Sequence, residues 1–211
     1  MKGKLKLISG KRIKSPISQK TRPTSSRVRE ALINVLGNKL KGASWLDLCS
    51  GSGAMACEAL QKGVKRVLAV EKQRETAKTC KKNLFDVSNT MDHSIKIEVK
   101  CNELISFLKK GPKNQKIDSA NKWQSLEQRF DFIFLDPPYE SGLYEISQEL
   151  LLSKEWIKES STLICECSPK SMPRIHNGWK LIKEKIYGNT SLLFLIPNQA
   201  LNYFDDTDSM H

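Results

Sequence analysis

Short apolar runs alternate with amphipathic helical segments from residue 44 to residue 197, and this alternation constrains the fold more than any other feature. The strand-like runs are SWLDLC (44–49), RVLAVE (66–71), IKIEV (95–99), DFIFLD (131–136) and TLICEC (162–167), and helical patterns cover 54–63, 74–87, 103–110 and 144–157. Apolar strands that alternate with helices are typical of parallel βα units, which stack into a doubly wound sheet. We therefore expect an α/β fold in which strand 131–136 lies beside strand 44–49.

The last two apolar runs are arranged differently. KLIKEKIY (180–187) and SLLFLIP (191–197) flank Gly188 and Asn189, a two-residue turn that predicts an antiparallel hairpin. The preceding stretch, 168–179, contains two prolines and is predicted to be a loop rather than a helix. The complete prediction is a mostly parallel, seven-stranded, Rossmann-like sheet that ends in an antiparallel hairpin.

Length and composition fit one main domain. The 211 residues are 39% hydrophobic and 27% charged, and no apolar run is long enough to span a bilayer. The first residues, MKGKLKLISGKR, lack the apolar core of a signal peptide, so we expect a cytoplasmic protein without a membrane partner. The six cysteines form no CxxC pair, which argues against bound zinc, and we expect no metal.

Positive charge is concentrated at the N-terminus. Residues 1–42 contain twelve lysines and arginines against one acid, Glu30, so this segment carries +11 of the total charge of +12. A basic arm beside a nearly neutral body indicates contact with a polyphosphate such as RNA. We predict an N-terminal RNA-binding extension over 1–42 that packs on a main domain over 43–197, followed by a frayed acidic tail over 198–211.

The basic extension has two predicted elements. KLKLISGKRIKS (4–15) alternates around Ser9 and Gly10 and predicts a short hairpin. In TRPTSSRVREALINVL (21–36), hydroxyl side chains at 24–26 offer N-caps to an amphipathic helix. Arginines near the start of this helix would then lie close to the proposed RNA surface.

A Gly-rich turn follows the first strand of the main domain. In DLCSGSG (47–53), Gly51 and Gly53 allow the backbone to turn tightly and to approach a ligand at the start of the next helix. Glu71 ends the second strand, where a carboxylate can accept hydrogen bonds from both hydroxyls of a ribose. This combination predicts a site for a nucleoside-containing cofactor.

Two cofactor classes fit such a turn. Residues 51–56, GSGAMA, match the GxGxxA form of the dinucleotide fingerprint, so a nicotinamide enzyme is one reading. Asp47, however, would repel a pyrophosphate and suits a cationic, methionine-type ligand. The closing hairpin is also typical of methyltransferases, and these features favour S-adenosylmethionine.

The fourth strand ends in an unusual tetrapeptide, DPPY (136–139). An exocyclic base amine is a weak nucleophile, and two acceptors for its hydrogens localise its lone pair. Asp136 can supply one acceptor and the carbonyl of Pro137 the other, with the direction of that carbonyl restricted by the two proline rings. Tyr139 offers a flat face on which an extruded base can stack.

Taken together, these motifs resemble those of one family. GKRI with RPTSSRVREAL, LDLCSGSGAMACEAL, VEK and FLDPPY are similar to the RsmD-like RNA methyltransferases, in order from about residue 10 to residue 197. The resemblance implies a class I methyltransferase that moves a methyl group from S-adenosylmethionine to the N2 amine of a guanine in 16S ribosomal RNA. Two departures are Ile33, where the family often has an aromatic residue, and a long polar excursion over 111–129.

The resemblance also implies the site residues. The catalytic residues would be Asp136, Pro137 and Tyr139. The cofactor, whose product is S-adenosylhomocysteine, would be bound by Asp47, Cys49, Ser50, Gly51, Ser52, Gly53, Glu71, Lys72, Asn102 and Asp136. The RNA would be contacted by Lys11, Arg12, Arg22, Arg27 and Arg29.

The motifs are compatible with two further functions. DPPY serves any exocyclic amine, so an adenine-N6 methyltransferase acting on RNA or DNA is the nearest rival. A non-catalytic RNA-binding protein on a methyltransferase scaffold is a rival of another class, against which the intact acids argue. We expect a monomer whose substrate is either free 16S ribosomal RNA or an assembling small ribosomal subunit.

Overall fold

The computed structural model describes residues 4–15, 24–91, 95–112, 128–138 and 142–198. Arg22 and Tyr139 lie outside these residues, as do most of the 111–129 excursion and nearly all of the predicted acidic tail. Within the described ranges, no helix is both long and apolar enough to cross a membrane.

Nine strands and five α-helices make up the described chain. The strands are β1 (Lys4–Lys6), β2 (Arg12–Lys14), β3 (Ser44–Leu48), β4 (Arg66–Glu71), β5 (Lys96–Cys101), β6 (Phe130–Leu135), β7 (Ile157–Cys167), β8 (Trp179–Tyr187) and β9 (Thr190–Pro197). The helices are α1 (Ser26–Leu36), α2 (Ala54–Gln61), α3 (Arg74–Ser88), α4 (Leu104–Leu108) and α5 (Leu143–Ser153), and a 3₁₀ turn, Gly37–Leu40, follows α1.

Seven of the strands form one sheet in the order β5-β4-β3-β6-β7-β9-β8. The first five are parallel, and β9 runs antiparallel to both β7 and β8. This arrangement confirms the predicted doubly wound sheet with a closing hairpin. The direction of winding reverses between β3 and β6, so their carboxyl ends, Leu48 and Leu135, meet at the topological switch point where such sheets bind ligands.

Helices cover both faces of the sheet. One core cluster joins α1, α2 and α3 to the face that carries Trp45, and the other joins α4 and α5 to the face that carries Leu46 and Leu48. Successive residues of β3 therefore point to opposite layers, and every residue of the strand is buried. This burial explains why the strand reads as a short apolar run rather than as an alternating one.

The basic N-terminal segment is folded against this core. β1 pairs antiparallel with β2, which confirms the predicted hairpin, and Leu7 and Ile13 from the hairpin belong to the core on the α1, α2 and α3 face. The Asn83 side chain of α3 binds both backbone groups of Lys14, each at 2.9 Å, and donates to the Ser52 carbonyl at 2.9 Å. Asn83 thus connects the hairpin to the Gly-rich turn.

One helix is shorter than its sequence pattern predicts. The helical pattern of 144–157 ends at Ser153, because Glu155 adopts a positive φ of 58° that a continuing helix does not allow. Trp156 then donates its indole N–H to the Leu108 carbonyl at 2.9 Å, and Ile157 pairs with Phe130 at the start of β7. The two apolar residues that extended the helical pattern therefore belong to the sheet core.

Candidate active site

The Gly-rich turn between β3 and α2 is held in a conformation that few residues adopt. Gly51 and Gly53 have φ of 52° and 74°, and Cys49 has φ of 63°, all in the left-handed region. A Cβ on Gly53 would lie 2.7 Å from the sulfur of Cys80, whereas one on Gly51 would meet nothing within 4 Å. Gly53 therefore permits close packing against α3, and Gly51 leaves open space beside the backbone of the turn.

Glu71, at the end of β4, holds this turn in place. One of its carboxylate oxygens accepts a hydrogen bond from the Gly51 amide at 3.0 Å, and the other accepts one from the Gln73 amide at 2.8 Å. Each oxygen keeps further acceptor capacity. Asn102 follows β5, and its backbone N–H donates to the Glu71 backbone carbonyl at 3.1 Å. The residues predicted to bind the ribose and the adenine are therefore neighbours.

Asp47 lies beneath the turn and is 1% exposed. Its carboxylate accepts a hydrogen bond from the Ala56 amide, in the first turn of α2, at 3.2 Å. Burial raises the pKa of Asp47 to about 7, and the negative charge of Glu71 adds to the effect, whereas the Ala56 hydrogen bond opposes it. A buried acid of this kind is stabilised in its charged form by a cation, and it is unfavourable beside a phosphate.

Asp136 and the two prolines extend from β6 at the switch point. The Asp136 amide lies 3.5 Å from the Leu48 carbonyl, which places Asp136 directly beside the Gly-rich turn. Pro137 is buried and Pro138 is exposed. Burial, and then the charges of Glu166 and Asp47, raise the pKa of Asp136 well above its ordinary value.

The Cys49 thiol lies within the electrostatic influence of all three predicted acids. Burial raises its pKa to about 12, and the negative charges of Asp136, Glu71 and Asp47 each contribute in that order. Three acids from three different strand ends therefore act on one side chain of the Gly-rich turn. Lys72, which is exposed, opposes them.

Sequence reasoning missed two residues of this site, Glu166 and Thr24. Glu166 lies near the end of β7 and is 4% exposed, and the Thr24 hydroxyl donates a hydrogen bond to its carboxylate at 2.8 Å. The signal was present in CEC (165–167), where an acid interrupts the apolar run near its end. Strand alternation places that acid on the opposite face from the thiols, toward α1.

The predicted RNA-binding residues have different surroundings. Arg12 and Arg27 are exposed, as an RNA surface requires. Lys11 is half-buried, and its ammonium group donates to the Asp86 carbonyl at 2.6 Å and to the Thr90 hydroxyl at 3.2 Å. Lys11 therefore contributes to the attachment of the hairpin to α3.

The prediction that Arg29 contacts RNA needs correction, because its side chain does not face the surface. It is 2% exposed, and its guanidinium forms an ion pair with Glu58 of α2 at 3.1 Å. The same group donates to the Thr24 carbonyl and to the Lys6 carbonyl, each at 2.7 Å. Arg29 therefore connects the hairpin, the start of α1, and α2. All of these hydrogen bonds are made to groups within the protein.

The sheet order, the closing hairpin and the acid-bearing turn at the switch point define the class of protein. This is the class I S-adenosylmethionine-dependent methyltransferase fold, as comparison with solved structures shows. The chain is similar to a putative methyltransferase, yhhF, from Escherichia coli, with a TM-score of 0.72 and 26% identity over 93% of this chain and 99% of the other. An RNA methyltransferase from Salinibacter ruber in complex with S-adenosyl-L-homocysteine has the same fold, with a TM-score of 0.56 and 13% identity over 84% of this chain and 95% of that one.

The family follows from the sequence comparisons. The chain belongs to the family described as conserved hypothetical protein 95, whose model matches residues 3–196. It is 33% identical over 195 residues to the ribosomal RNA small subunit methyltransferase D of Haemophilus influenzae, covering 90% of this chain and 92% of that relative. The Escherichia coli K12 protein of the same name is 27% identical over 197 residues, covering 90% and 88%. These matches confirm the resemblance to the RsmD-like family.

Proposed function

We propose that this protein transfers a methyl group from S-adenosylmethionine to the exocyclic N2 amine of a guanine in 16S ribosomal RNA. The observation that carries the proposal is the convergence of Asp47, Glu71 and Asp136 on the Gly-rich turn at the switch point. Three acids suit a cofactor with a positively charged sulfur and an ammonium group. Their negative charges would repel the pyrophosphate of a nicotinamide cofactor. The glycine spacing alone is compatible with that cofactor as well.

The residues present fit this cofactor. We propose that Glu71 accepts hydrogen bonds from the ribose hydroxyls, that Asn102 lies near the adenine, and that Asp47 balances the positive charge of the methionine part. Cys49, Ser50, Gly51, Ser52, Gly53 and Lys72 would line the cofactor. The described residues contain no group of three or more potential metal ligands, and the proposed chemistry requires none.

Asp136 and Pro137 would act on the target amine. When bound, S-adenosylmethionine supplies a methyl group on a positively charged sulfur. The amine nitrogen would form a bond to that methyl carbon as the carbon–sulfur bond broke, the electron pair would stay on sulfur, and the surplus proton would leave the nitrogen. Asp136 would accept a hydrogen bond from the amine and orient its lone pair, with the Pro137 carbonyl as second acceptor. Stacking of the base on Tyr139 stays a prediction from the sequence.

The choice of guanine in 16S ribosomal RNA is supported by family membership and by the names of the relatives. Adenine-N6 methylation is the second candidate, because Asp136 and Pro137 would serve that amine equally well. A protein that binds RNA without catalysis is a weaker candidate, since the chain retains Asp47, Glu71 and Asp136, the acids that we assign to the cofactor and the amine.

Methyl transfer from isotopically labelled S-adenosylmethionine tests the proposal. Undermethylated 16S ribosomal RNA, assembled small subunits and DNA are offered separately, and the nucleosides are analysed after digestion. We expect label in N2-methylguanosine from one of the two ribosomal substrates. Label in N6-methyladenosine would contradict the guanine assignment, and the absence of label in every substrate would contradict the proposed activity.

We propose that Arg12 and Arg27 contact RNA phosphates from the exposed side of the N-terminal segment, in a protein that acts as a monomer. Replacing both with alanine should weaken RNA binding and lower the slope of log K against log salt by about 1.4 to 1.8, because each lost phosphate contact removes about 0.7 to 0.9. The measurement is a titration of RNA binding at several salt concentrations.

The matched control removes two positive charges from the edge strand β8. Lys183→Ala/Lys185→Ala in β8 changes the net charge by the same amount at exposed positions. We expect this variant to keep the salt slope of the unmodified protein. Equal slopes for all three proteins would show that the N-terminal arginines contact no phosphate.

A further inference from the structure

The amino edge of the sheet, opposite the candidate active site, carries a cluster of lysines. Three segments lead into β3, β4 and β5 at this edge, and their described residues, 37–43, 61–66 and 95–96, contain six basic residues and no acid. The guanidinium of Arg66 donates to the Gln128 carbonyl at 2.7 Å. The other five basic residues are exposed, and we call them the amino-edge lysines: Lys39, Lys41, Lys62, Lys65 and Lys96.

Backbone hydrogen bonds join the three segments into one surface. The Gly42 amide donates to the Gly63 carbonyl at 2.8 Å. The Lys65 amide donates to the Ala43 carbonyl at 3.0 Å, and the Lys65 carbonyl accepts from the Lys96 amide at 2.9 Å. Among the residues that the structure describes, no acid forms an ion pair with an amino-edge lysine. Their positive charges therefore add together on a connected backbone.

The turn of the N-terminal hairpin lies next to this surface. Helices α2 and α3 begin at the carboxyl edge of the sheet and end at the amino edge, since each connects two parallel strands. The Ile8 amide of the hairpin turn donates to the Glu58 carboxylate of α2 at 3.0 Å, and Lys62 lies one helical turn after Glu58. The Lys11 ammonium group donates to the Asp86 carbonyl near the end of α3 at 2.6 Å. The basic hairpin and the amino-edge lysines are therefore neighbouring surfaces.

We propose that the amino-edge lysines bind backbone phosphates of the same RNA that the hairpin contacts. An exposed group of five positive charges on connected segments attracts a polyphosphate. Lysine binds a phosphate as a point charge and reads no base edge, so this surface would position the RNA without selecting its sequence. The identity of the partner rests on the proposed function, whereas the positive surface depends only on this chain.

The two edges of the sheet have opposite charges, and this separation indicates the size of the partner. Asp47, Glu71 and Asp136 lie at the carboxyl edge, where their negative charges would repel backbone phosphates. β3 contains five residues and β4 contains six, which corresponds to about 17 to 20 Å between the edges. An RNA that places its target base at one edge must extend over this distance to contact the other. A large folded RNA meets this requirement.

The direct test maps the lysines that RNA covers. The full-length protein is acetylated briefly with and without undermethylated 16S ribosomal RNA, and the modification of each lysine is measured by mass spectrometry. We expect RNA to reduce the acetylation of Lys41, Lys62 and Lys65 several-fold. Lys183 and Lys185 of β8 are exposed at another edge of the sheet and serve as internal controls. Unchanged acetylation of the amino-edge lysines, or equal protection of both groups, would overturn the proposal.

The second test removes two of the charges. Lys62→Ala/Lys65→Ala should lower the slope of log K against log salt for RNA binding by about 1.4 to 1.8, because each lost phosphate contact removes about 0.7 to 0.9. Lys183→Ala/Lys185→Ala removes the same charge from β8 and should keep the slope of the unmodified protein. Thermal unfolding followed by circular dichroism checks that both variants are folded. Equal slopes for the two variants would overturn the proposal.

These readouts are independent of methyl transfer, so two kinds of failure can be distinguished. Protection and a lower slope without methylation of any substrate would refute the proposed function and leave the RNA contact in place. Methylation of ribosomal RNA with neither protection nor a lower slope would refute the contact alone. A parallel titration with polyglutamate tests an acidic protein as the partner. If only polyglutamate binding depended on Lys62 and Lys65, the surface would serve such a protein and the proposal would be wrong.

Discussion

Replacing Asp136 with alanine should lower kcat for methyl transfer by roughly 10²- to 10³-fold or more, while cofactor binding is retained. The size of the loss is that seen when one preorganised hydrogen-bonding group is removed from a reacting centre, about 3 to 4 kcal/mol. Asp136 lies beside the Gly-rich turn, whereas Glu71 and Asp47, which we assign to the cofactor, stay in place in the variant. Steady-state methyl transfer and calorimetric titration with S-adenosylhomocysteine measure the two effects separately.

The control for this variant is an aspartate outside the site. Asp86→Ala removes an exposed acid of α3 whose side chain pairs with Lys82 on the surface, so it should change neither kcat nor cofactor binding. Comparable turnover in Asp136→Ala and Asp86→Ala would show that Asp136 takes no part in the reaction. A loss of cofactor binding equal to the loss of turnover would instead make Asp136 chiefly a cofactor residue.

The sheet and the cofactor turn could be predicted because local patterns determine them. The apolar runs that became β3, β4 and β6 are buried on both faces, and a continuous apolar run between helical patterns is the signature of such strands. Doubly wound topology then places the residues after those strands at one edge. The sequence could therefore predict that Asp136, Glu71 and Gly51 lie at the same edge of the sheet.

Arg29 and Glu166 could not be assigned in this way, because their roles depend on contacts between distant segments. The sequence pattern of an arginine near the start of a basic helix is the same whether its side chain contacts RNA or a buried acid. Here its partner, Glu58, lies 29 residues away on α2. The surroundings of Glu166 likewise depend on Thr24, which is 142 residues away in the sequence, and on the neighbouring strand β6. The end of α5 at Ser153 also depended on the pairing of Ile157 with Phe130.

The buried Arg29–Glu58 pair leads to the largest expected effect on stability. Arg29→Ala should lower the free energy of unfolding by about 3 to 5 kcal/mol, the usual cost of removing one partner of a buried ion pair. The variant leaves Glu58 charged without its partner and leaves the carbonyls of Thr24 and Lys6 without their donor. Denaturation by urea at pH 7.5, followed by circular dichroism, measures the change.

The pH dependence of this loss of stability distinguishes the loss of the ion pair from a loss of packing alone. Burial raises the pKa of Glu58, and Arg29 opposes that rise, so the pKa should rise further in Arg29→Ala. A folded-state pKa above the unfolded value means that the folded protein binds more protons, and its stability then increases as the pH falls. The destabilisation by Arg29→Ala should therefore shrink between pH 7.5 and about pH 5, near the ordinary carboxyl range.

A double-mutant cycle with Glu58→Gln isolates the charge. Glutamine keeps an acceptor for the Ile8 amide, which binds the Glu58 carboxylate at 3.0 Å, but it cannot titrate. Arg29→Ala should therefore cost less in the Glu58→Gln background than in the unmodified protein, and its cost there should not vary between pH 7.5 and pH 5. An equal cost in both backgrounds would mean that the buried guanidinium stabilises the fold through its carbonyl contacts to Thr24 and Lys6. In that case the N-terminal hairpin is attached by hydrogen bonds from the guanidinium to backbone carbonyls, and the charge of Glu58 contributes nothing to it.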